Sequence, residues 1–409
     1  MPSPGFAKAS VRDAPVEGRR ALVRVDFNVP LADGEVADDS RIRAALPTID
    51  LLRERGAALV LVSHLGRPRG HDPALSMAPV ADRLGQLLEH PVPLAPGVVG
   101  PEVAALAAAL KEGETLMLEN SRFEPGETEN DPQLAGDLAS LADVYVNDAF
   151  GAAHRAHATT EGVAHLLPAY AGLLLEREVE ELVAVRDDPA RPLCVVLGGA
   201  KVDDKIGVIE RFLDSAEEIL IGGAMCFSFF RAQGIATGDS LADGEGVDLA
   251  KEALERARGS AGDLVLPSDL VLGRSLDAQT ETRSIDGVEV PHGWMGLDIG
   301  GRTAAAYAER ILAAGTVFWN GPMGAFEVEL FAAGTRAIAE AVAEAPGITV
   351  VGGGDSVAAL ERYGLADRVD WVSTGGGASL ELIEGRQLPG VAALLDRRAP
   401  REERRAARG

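Results

Sequence analysis

The sequence predicts an α/β fold with two doubly wound parallel-sheet (Rossmann-like) domains joined by a hinge helix. Short Val-, Leu- and Ile-rich runs alternate with longer segments whose apolar residues recur at helical spacing. The short runs are almost continuously apolar, as is typical of parallel strands covered on both faces. The alternation pauses once, near residues 167–192, and then resumes. The length of 409 residues is enough for two or three domains, and this single pause favours two.

In the first half, four apolar runs are predicted to be buried strands that end in polar loops: RRALVRVDFNV (19–29), GAALVLVSHLG (56–66), ETLMLENSRF (114–123) and ADVYVNDAFG (142–151). Helical spacing is present between them, in RIRAALPTIDLLRERG and PEVAALAAALKEG. This order of strand and helix predicts a βα series. Ligands of such sheets bind beyond the carboxyl ends of the strands.

The second half repeats the pattern after LPAYAGLLLEREVEELVAVRDDPARP (167–192), which predicts a long amphipathic helix followed by a Pro-rich turn. Its predicted strands are LCVVLGG, EEILIGGAM, DLVLPSDLVLG, GTVFWNGPMG, ITVVGGGDS and VDWVSTGGGAS. We therefore expect an N-terminal domain over 1–170, a hinge helix over 171–186 and a C-terminal domain over 187–384. The tail, about 385–409, is expected to pack back on the N-terminal domain.

Composition excludes several classes of partner. A net charge of −24 argues against nucleic acid and anionic membranes, because nothing offsets phosphate repulsion over the surface. No apolar run approaches the roughly 18 residues of a membrane span, and MPSPGFAKASVRDAP lacks the apolar core of a secretory signal. Cys194 and Cys226 make neither a disulfide framework nor a metal-binding spacing. We therefore expect a cytoplasmic protein.

Glycine ends the predicted strands of the second half, in GGAK, GGAM, GPMG, GGGDS and STGGGAS. Such loops let backbone N–H groups approach a phosphate, although each single loop could equally serve a tight βα turn. Neither the P-loop spacing nor G-x-G-x-x-G is present, which weakens the case for a Walker-type ATPase or an ordinary NAD dehydrogenase. Asp355 follows three glycines and could reach a nucleotide-bound Mg²⁺, cap the following helix, or do both.

Two lysines stand out in LGGAKVDDKIGVIERF (197–212), because the 39 basic residues comprise only 5 Lys and 34 Arg. Lys201 and Lys205 follow a glycine turn, and lysine offers a compact, flexible point charge that suits a crowded oxyanion. If the segment is helical, Lys205 lies about 6 Å beyond Lys201. Asp203 and Asp204 are then first-turn residues favoured by the helix dipole.

The first half instead carries basic groups at its predicted strand ends: Arg41, His64, Arg67, Arg122 and Arg155. One arginine is usually a surface ion pair, but four in successive loops of an acidic chain favour an anionic substrate. The sequence argues against a metal site at the HRAH pair, because no matching set of Cys, His or carboxylate ligands accompanies it.

Together these motifs resemble the phosphoglycerate kinase family. The series VRVDFNVP, SHLGRP, LENSRF, NDAFGAAHRAHA, GGAKVDDKI, GGAM, GWMGLDIG, WNGPMGAFE, GGGDS and STGGGASLE follows the family's order from residue 23 to about 381. The resemblance implies reversible phosphoryl transfer between 1,3-bisphosphoglycerate and MgADP, giving 3-phosphoglycerate and MgATP, in a monomer that closes by hinge bending. It also implies that the N-terminal domain binds the glycerate and the C-terminal domain the nucleotide.

The resemblance carries roles to individual positions. The glycerate-binding residues would be Asp26, Phe27, Asn28, Arg41, His64, Leu65, Gly66, Arg67, Arg122 and Arg155, with Arg41 closest to the reacting carboxyl. The catalytic residues would be Arg41, with Lys201, Gly375 and Gly376 at the transferring phosphoryl group. The nucleotide would be bound by Lys205, Gly296, Asn320, Glu327, Gly353, Gly354, Asp355 and Ser356, with Asp355 holding Mg²⁺. In this scheme Gly296, Asn320 and Glu327 line the nucleoside pocket, and no general base is needed because the acceptor is an ionised carboxylate.

Two positions depart from the family pattern. Ala224 stands where a third glycine is frequent, which puts nucleotide preference in question, and Ser356 stands where threonine is common. Two other functions stay open at this point: a non-catalytic sensor of nucleotide or sugar phosphate, and a phosphotransferase with a hydroxyl acceptor. The sensor would not need a lysine at the transfer point, and the hydroxyl acceptor would need a carboxylate base.

Overall fold

The computed structural model describes residues 6–242 and 244–397. These residues form two compact units that are divided within one helix. The first unit comprises residues 6–180 and 387–397, and the second comprises 181–242 and 244–386. The chain thus crosses between the units at Glu180–Glu181 and again at Arg386–Gln387. Residues 371–379 lie wholly inside the second unit, before the second of these crossings.

The described strands of the first unit are β1 (Arg20–Arg24), β2 (Leu31–Ala32), β3 (Glu35–Val36), β4 (Ala58–Val62), β5 (Thr115–Met117), β6 (Val144–Asn147) and β7 (Ala169–Ala171). Its described α-helices before the division are α1 (Ser40–Glu54), α2 (Ala78–Leu88), α3 (Pro101–Ala109) and α4 (Pro132–Ala139), and α5 (Leu173–Asp187) crosses the division. Five strands form a parallel sheet in the order β5-β4-β1-β6-β7, while β2 and β3 make a small hairpin.

The described strands of the second unit are β8 (Leu193–Leu197), β9 (Glu218–Ile221), β10 (Asp263–Val265), β11 (Leu270–Gly273), β12 (Thr282–Ile285), β13 (Met295–Ile299), β14 (Thr316–Asn320), β15 (Ile348–Gly352) and β16 (Trp371–Val372). Its described helices are α6 (Ile206–Leu213), α7 (Cys226–Ala232), α8 (Gly244–Ala257), α9 (Gly301–Leu312), α10 (Ala333–Glu344), α11 (Gly354–Tyr363) and α12 (Gly377–Ile383). A six-stranded parallel sheet has the order β10-β9-β8-β14-β15-β16, and β12-β11-β13 form a separate antiparallel sheet.

Both parallel sheets are wound in the same way. The chain begins in a central strand, adds two strands on one side and then crosses to the other side. The direction reverses between β1 and β6 in the first unit and between β8 and β14 in the second. A crevice opens at such a reversal because the two flanking connections leave toward opposite faces, and ligands bind there. The predicted fold class, α/β with two doubly wound parallel sheets, is confirmed.

Burial explains why these runs form central strands. Every residue of β4, β8 and β14 is buried, as the continuous apolar runs predict for strands covered on both faces. The first core packs β1 and β4 against apolar residues of α1 and α2. The second core gathers around β14, where the indole of Trp319 is fully buried and donates to the carbonyl of Gly321 at 2.8 Å.

Three features differ from the sequence prediction. The single predicted strand DLVLPSDLVLG is two strands, β10 in the parallel sheet and β11 in the antiparallel sheet, because Pro267 between them cannot continue a strand. Residues 169–171 are the edge strand β7 rather than part of the long helix, which begins at Leu173. Ala169 and Ala171 are buried and Tyr170 is half-buried, which is the alternation of a strand. The sequence does not predict this strand, because alanine has a weak strand preference and three residues are too few to show an alternating pattern. The sequence does not predict the antiparallel strands β12 and β13. Most residues of β12 are exposed, and apolar and polar residues alternate only weakly along β13.

The end of the described chain returns to the first unit through the short helix α13 (Pro389–Ala392). The backbone N–H of Leu395 donates to Ala169 at 3.0 Å, and Lys8 donates to the carbonyls of Ala392 and Leu394, each at 3.0 Å. Residues 398–409 of the predicted tail lie outside the described residues. Among the residues that are described, none of the helices combines the length and apolar character needed to cross a membrane.

Candidate functional site

The predicted glycerate residues of the first unit lie where parallel strands end. Asp26 and Asn28 follow β1, His64 follows β4, Arg122 follows β5 and Arg155 follows β6. Since these four strands are neighbours in one sheet, their carboxyl ends bring the loops to one edge. Arg41 joins them from the first turn of α1, where its Nη1 donates to Asp26 Oδ2 at 2.8 Å.

A cavity of about 510 Å³ lies at this edge. Its lining includes Arg67, Arg122, Arg155 and His157. Burial lowers the pKa of Arg122, and the neighbouring charge of Arg155 lowers it further. The Nε atom of Arg122 is buried without a hydrogen-bond partner, while Nη1 donates to the carbonyl of Gly66 at 2.5 Å. Crowded guanidinium groups with an unpartnered buried donor are suited to a bound anion.

Two histidines of the first unit, His64 and the cavity-lining His157, have pKa values that favour the neutral ring at pH 7. Burial, followed by the charges of Arg24 and Arg122, holds the pKa of His64 well below its ordinary value. The same causes lower the pKa of His157 to about 4. Repulsion from surrounding arginines opposes protonation of both rings, so the arginines supply the positive charge of the site.

Other predicted contacts in this unit shape the loops rather than the cavity. The Phe27 side chain is fully buried in the first core, and its N–H donates to Ser63 Oγ at 2.9 Å. Leu65 is also buried, with its N–H donating to Asn120 Oδ1 at 3.1 Å. Asn28 Oδ1 accepts the N–H of Gly66 at 2.8 Å. Phe27 and Leu65 therefore offer a ligand no side-chain contact.

The second unit has a cavity of about 590 Å³ at the carboxyl ends of β8, β14 and β15. It is lined by glycine loops and by both lysines of the GGAKVDDK motif, and its predicted members are Lys201, Lys205, Asn320, Gly353, Gly354, Asp355 and Gly376. Gly353 has φ +88° and Gly376 has φ +54°, so both occupy the left-handed region that favours glycine. The strand-end loops predicted from the sequence do converge on one cavity.

The two lysines are not on a helix, contrary to the expected helical spacing. Helix α6 begins at Ile206, and residues 201–205 form turns, with the Lys205 N–H donating to the carbonyl of Val202 at 2.9 Å. The left-handed Gly199, at φ +101°, redirects the chain after β8 and delays the helix. Asp203 and Asp204 are therefore exposed turn residues that line the cavity, not first-turn helix residues.

The half-buried Lys205 and the buried Asn320 form a polar pair in this cavity. Lys205 Nζ donates to Asn320 Oδ1, and burial lowers the pKa of the lysine to about 8 despite the opposing influence of Asp204, Asp355 and Glu384. Asn320 is almost fully buried, and its Nδ2 has no hydrogen-bond partner. An unpartnered buried amide is costly, and an acceptor oxygen such as that of a phosphate would satisfy it.

A second, largely apolar cavity of about 370 Å³ adjoins the first. The two share Gly199, Ala200 and Asp355, and the apolar one also contains Ala224, Gly296 and Glu327. A Cβ on Gly296 would lie 2.1 Å from the ring of Phe227, so only glycine leaves this pocket open. Asn320 differs from expectation, since it lies in the lysine cavity rather than with Gly296 and Glu327.

The remaining predicted residues have internal roles as well. Ser356 is fully buried, and its Oγ accepts the N–H of Gly321 at 2.6 Å. Gly375 is buried, with its N–H donating to Ser373 Oγ at 3.2 Å. The exposed carboxylate of Asp355 lies in the first turn of α11 and contributes to both cavities. Within the described ranges, no cluster of three or more His, Cys, Asp or Glu side chains could hold a metal.

Comparison with known proteins identifies the family. A family model described as phosphoglycerate kinase matches residues 11–386. The chain belongs to the phosphoglycerate kinase family. The resemblance drawn from the motif series is thereby confirmed over nearly the whole sequence.

Individual phosphoglycerate kinases agree closely with this chain. It is 55% identical over 391 residues to the phosphoglycerate kinase of Rubrobacter xylanophilus, covering 95% of this chain and 99% of the relative. It is 53% identical over 394 residues to that of Roseiflexus sp., covering 96% and 100%. The solved phosphoglycerate kinase of Coxiella burnetii aligns with a TM-score of 0.85 and 39% identity over 94% of this chain and 98% of that chain. The solved phosphoglycerate kinase of Pyrococcus horikoshii aligns with a TM-score of 0.82 and 33% identity over 94% of this chain and 98% of that chain.

Two buried charged residues near the phosphoglycerate kinase motifs were not singled out from the sequence. Arg24, the last residue of β1, is only 1% exposed, and Glu127 is fully buried behind the arginine cavity. Arg24 could have been noticed, because a charge interrupts the apolar run ALVRV. Glu127 gives no such signal, since GETEN is an ordinary polar loop sequence.

Proposed function

We propose that this chain catalyses reversible phosphoryl transfer between the acyl phosphate of 1,3-bisphosphoglycerate and MgADP, giving 3-phosphoglycerate and MgATP. The observation that carries the proposal is the pair of adjoining cavities in the second unit. The apolar one suits a nucleoside, the one with Lys201 and Lys205 suits its phosphates, and Asp355 lines both. A nucleotide has the same division between an apolar base and a polyanionic tail.

The arginine cavity of the first unit supports the glycerate half of the reaction. Its guanidinium groups suit the phosphate of 3-phosphoglycerate, because planar forks bind such oxygens bidentately. The Asp26–Arg41 ion pair holds Arg41 beside this edge of the sheet, where Arg41 would contact the reacting carboxyl. Asp26, Asn28, His64, Arg67, Arg122 and Arg155 are the other proposed glycerate residues, with Phe27, Leu65 and Gly66 forming the loops around them.

Lys201 is the proposed contact of the phosphoryl group in transfer, since it is exposed at the glycine turn. Lys205, Gly353 and Gly354 line this cavity and would hold the nucleotide phosphates, and Gly376 would face the transferring group. Ser356 and Gly375 are buried outside the lining of the cavity, and they are proposed to contribute to the same two groups of contacts. Gly296 and Glu327 remain the proposed nucleoside contacts. Catalysis then consists of positioning and charge stabilisation, because an ionised carboxylate acceptor needs no base.

Asp355 fits a nucleotide-bound Mg²⁺. This ion is usually bound by one or two protein carboxylates together with substrate phosphates, and a single exposed Asp between two cavities matches that pattern. When bound, Mg²⁺ neutralises charge on the phosphate oxygens. The neighbouring carboxylates Asp203, Asp204 and Glu384 would also favour a nucleotide that carries a divalent cation over a bare polyanion.

We further propose that the units close on each other when both substrates are bound, since groups held on separate units must meet before they react. Small-angle scattering with 3-phosphoglycerate and MgATP should give a smaller radius of gyration than either ligand alone. An unchanged radius in an active preparation would contradict closure. A monomeric state and a cytoplasmic location are part of the same proposal, and the scattering mass tests the first of them.

A coupled assay with 3-phosphoglycerate and MgATP tests the function directly. The folded chain should turn over, and replacing 3-phosphoglycerate by an alcohol such as glycerol should abolish turnover. Nucleotide binding without turnover would favour a sensor, and turnover with the alcohol would favour a hydroxyl acceptor. Binding should be measured separately by calorimetry, so that loss of catalysis is distinguished from loss of the nucleotide.

A further inference from the structure

Arg24 is a buried cation that the proposed reaction does not use. It ends β1, next to the point where the first sheet reverses direction, and only 1% of it is exposed. Burying a charge is costly unless its donors are satisfied. Each side of the guanidinium has a partner: Nε donates to Thr159 Oγ1 at 2.9 Å, Nη1 donates to the carbonyl of Val25, and Nη2 lies 3.0 Å from His64 Nδ1.

The contact with His64 determines where the imidazole carries its proton. A guanidinium group has donors and no acceptor, so Nδ1 of His64 must accept the hydrogen bond from Nη2. A ring nitrogen that accepts cannot also be protonated. The neutral ring therefore carries its proton on Nε2, which makes that atom a hydrogen-bond donor.

The charged groups facing His64 reinforce this assignment. They come from several elements: Arg24 on β1, Asp26 beyond it, Arg41 on α1, and Arg122 and Arg155 in the loops after β5 and β6. Asp26 Oδ1 is 3.8 Å from Nδ1, which is too far for a hydrogen bond, and this oxygen has no other partner. The one carboxylate near the ring, that of Asp26, faces four arginines, and its other oxygen accepts a hydrogen bond from Arg41.

A second buried group holds Arg24 in position. Thr159 Oγ1, which accepts from Arg24 Nε, donates in turn to Glu127 Oε1 at 2.6 Å. The Thr159 N–H donates to Glu127 Oε2 at 3.0 Å, and the Tyr145 hydroxyl donates to the Thr159 carbonyl at 2.7 Å. Because the carboxylate reaches Arg24 through a hydroxyl, it balances the buried charge while leaving Nη2 free to point at His64.

We propose that Arg24 is a positioning residue that fixes His64 as the neutral tautomer with its proton on Nε2, so that His64 offers the substrate an uncharged donor. The identity of the substrate, 3-phosphoglycerate, rests on the function proposed above, whereas the tautomer does not. The arginines supply charge at this site, and His64 supplies a directed hydrogen bond. Its contribution to binding consequently does not titrate between about pH 6 and 8, the range in which an ordinary histidine changes charge.

Nitrogen-15 NMR of the free, full-length chain tests the tautomer without any substrate. His64 should give one protonated signal, correlated through the ring protons as Nε2, and one unprotonated signal for Nδ1, unchanged between pH 6 and 8. The absence of this pair of signals in His64→Gln assigns them. A proton on Nδ1, or an imidazolium at pH 7, would overturn the proposal.

Replacing Arg24 by Met tests its role in fixing the ring. The variant should show His64 titrating or shifting its proton to Nδ1 toward Asp26, and the KM for 3-phosphoglycerate should rise about tenfold, more than kcat falls. Arg20→Met is the matched control, since Arg20 begins the same strand and pairs with Asp143 at 3.2 Å. The control should keep the wild-type His64 spectrum. An unchanged His64 spectrum in a folded Arg24→Met chain would refute the positioning role.

A pair of His64 variants gives an independent measurement if Arg24→Met does not fold. The amide nitrogen of Gln can take the place of Nε2, whereas that of Asn lies nearer the place of Nδ1. His64→Gln should keep the KM for 3-phosphoglycerate within about threefold of wild type, and His64→Asn should raise it about tenfold. The reverse order would contradict an Nε2 donor. Inactivity of the wild-type chain would refute the proposed substrate, while the NMR result would still decide the tautomer.

Discussion

The two units wind their first five parallel strands in the same order, yet the cavities at their strand ends differ in their balance of acidic and basic residues. In the first unit the cavity is formed by Arg67, Arg122 and Arg155, whose charge is permanent. In the second it is formed by glycine loops with Lys201 and Lys205. The winding determines where a ligand binds, and the residues just beyond each strand determine which ligand it is.

The difference in charge is informative for a chain with a net charge of −24. Both cavities contain carboxylates, but in the first the arginines Arg67, Arg122 and Arg155 outnumber Glu124 and Glu129. In the second the acidic residues are in excess, since Asp203, Asp204, Asp355, Glu381 and Glu384 line it together with Lys201, Lys205 and Arg386. Carboxylates would repel a bare phosphate, but they tolerate one that brings a divalent cation. The first cavity is suited to an anion without a metal, and the second to a metal–nucleotide complex.

Replacing Lys201 by Ala should have the largest effect on the second site. We expect kcat to fall about 10²-fold or more, because a charge aimed at the transferring phosphoryl group acts mainly in the transition state. The dissociation constant for MgATP, measured by calorimetry, should change little. Lys251→Ala, an exposed lysine of α8, is the control. Loss of nucleotide affinity at constant turnover would assign Lys201 to ground-state binding instead.

Replacing Arg155 by Ala should affect the first site and leave nucleotide binding unchanged. The KM for 3-phosphoglycerate should rise roughly 10- to 100-fold, as expected for loss of a charge-assisted hydrogen bond. The KM for MgATP should remain within about twofold, because Arg155 lies in the first unit. Arg69→Ala, an exposed arginine near the same cavity, is the control. Equal changes in both KM values would remove the division of substrates between the units.

Replacing Gly296 by Ala should narrow the apolar cavity. The new methyl group would overlap the Phe227 ring, so MgATP affinity should fall about tenfold while the KM for 3-phosphoglycerate stays constant. At Gly301 a Cβ meets nothing within 4 Å, which makes Gly301→Ala the matched control. Unchanged affinity in Gly296→Ala would mean that the nucleoside binds outside this cavity.

The pKa of Lys205 predicts a smaller effect that depends on pH. Burial lowers this pKa to about 8, whereas a bound phosphate would favour the charged lysine and raise it. Nucleotide binding near pH 8 should therefore take up protons, and MgATP affinity should fall by severalfold as the pH rises to 9.5. Calorimetry in buffers of different ionisation enthalpy measures the uptake. Lys205→Met should abolish the proton uptake. Binding of 3-phosphoglycerate to the arginine cavity should show no comparable uptake of protons.

Each unit also contains a buried aspartate that accepts backbone N–H groups near a helix N-terminus and has a raised pKa. Asp148 accepts from Leu174 at 2.9 Å and Asp298 from Gly334 at 2.7 Å, and burial raises the pKa of each to about 7. A folded-state pKa above the unfolded one means that the native chain binds the proton more strongly, so stability falls as the pH rises from about 4 to 7.

Asp148→Asn should therefore raise the Tm by a few degrees at pH 8 and by less at pH 5, since only Oδ1 of Asp148 accepts backbone N–H groups and an amide keeps that acceptor without a charge. Asp298 is not suited to this test, because both of its oxygens accept backbone N–H groups and an amide would place a donor against one of them. Asp137→Asn, on the exposed surface of α4, is the control and should leave the Tm unchanged at both pH values. A pH-independent change in Tm would show that the Asp148 carboxyl is not a source of the slope.

Buried strands and the loops that follow them were the features most readily predicted from the sequence. Continuous apolar runs identified β4 and β8, because burial on both faces leaves no polar residue to confuse the pattern. The short strand β7 was missed, since three residues of Ala and Tyr resemble a helix start as well as an edge strand. Loop motifs predicted which residues meet in the second cavity, because parallel strands end at one edge.

Side-chain pairing was less predictable than the position of the loops. Asn320 was expected with Gly296, but its amide pairs with Lys205 across the neighbouring cavity. That distinction depends on the direction of one side chain at the end of β14, which spacing does not encode. Arg24 and His64 are 40 residues apart in sequence, and only the adjacency of β1 and β4 brings them into contact.

The return of the chain to the first unit has a consequence for biosynthesis. The second unit is one continuous stretch, so it can fold as soon as its residues leave the ribosome. The first unit also needs residues 387–397, which are translated last, because their backbone forms hydrogen bonds with Ala9 and Ala169 beside the edge strand β7. We therefore expect the half of the protein that is translated first to reach its final form last, with its strand edge open to other nascent chains in the interval.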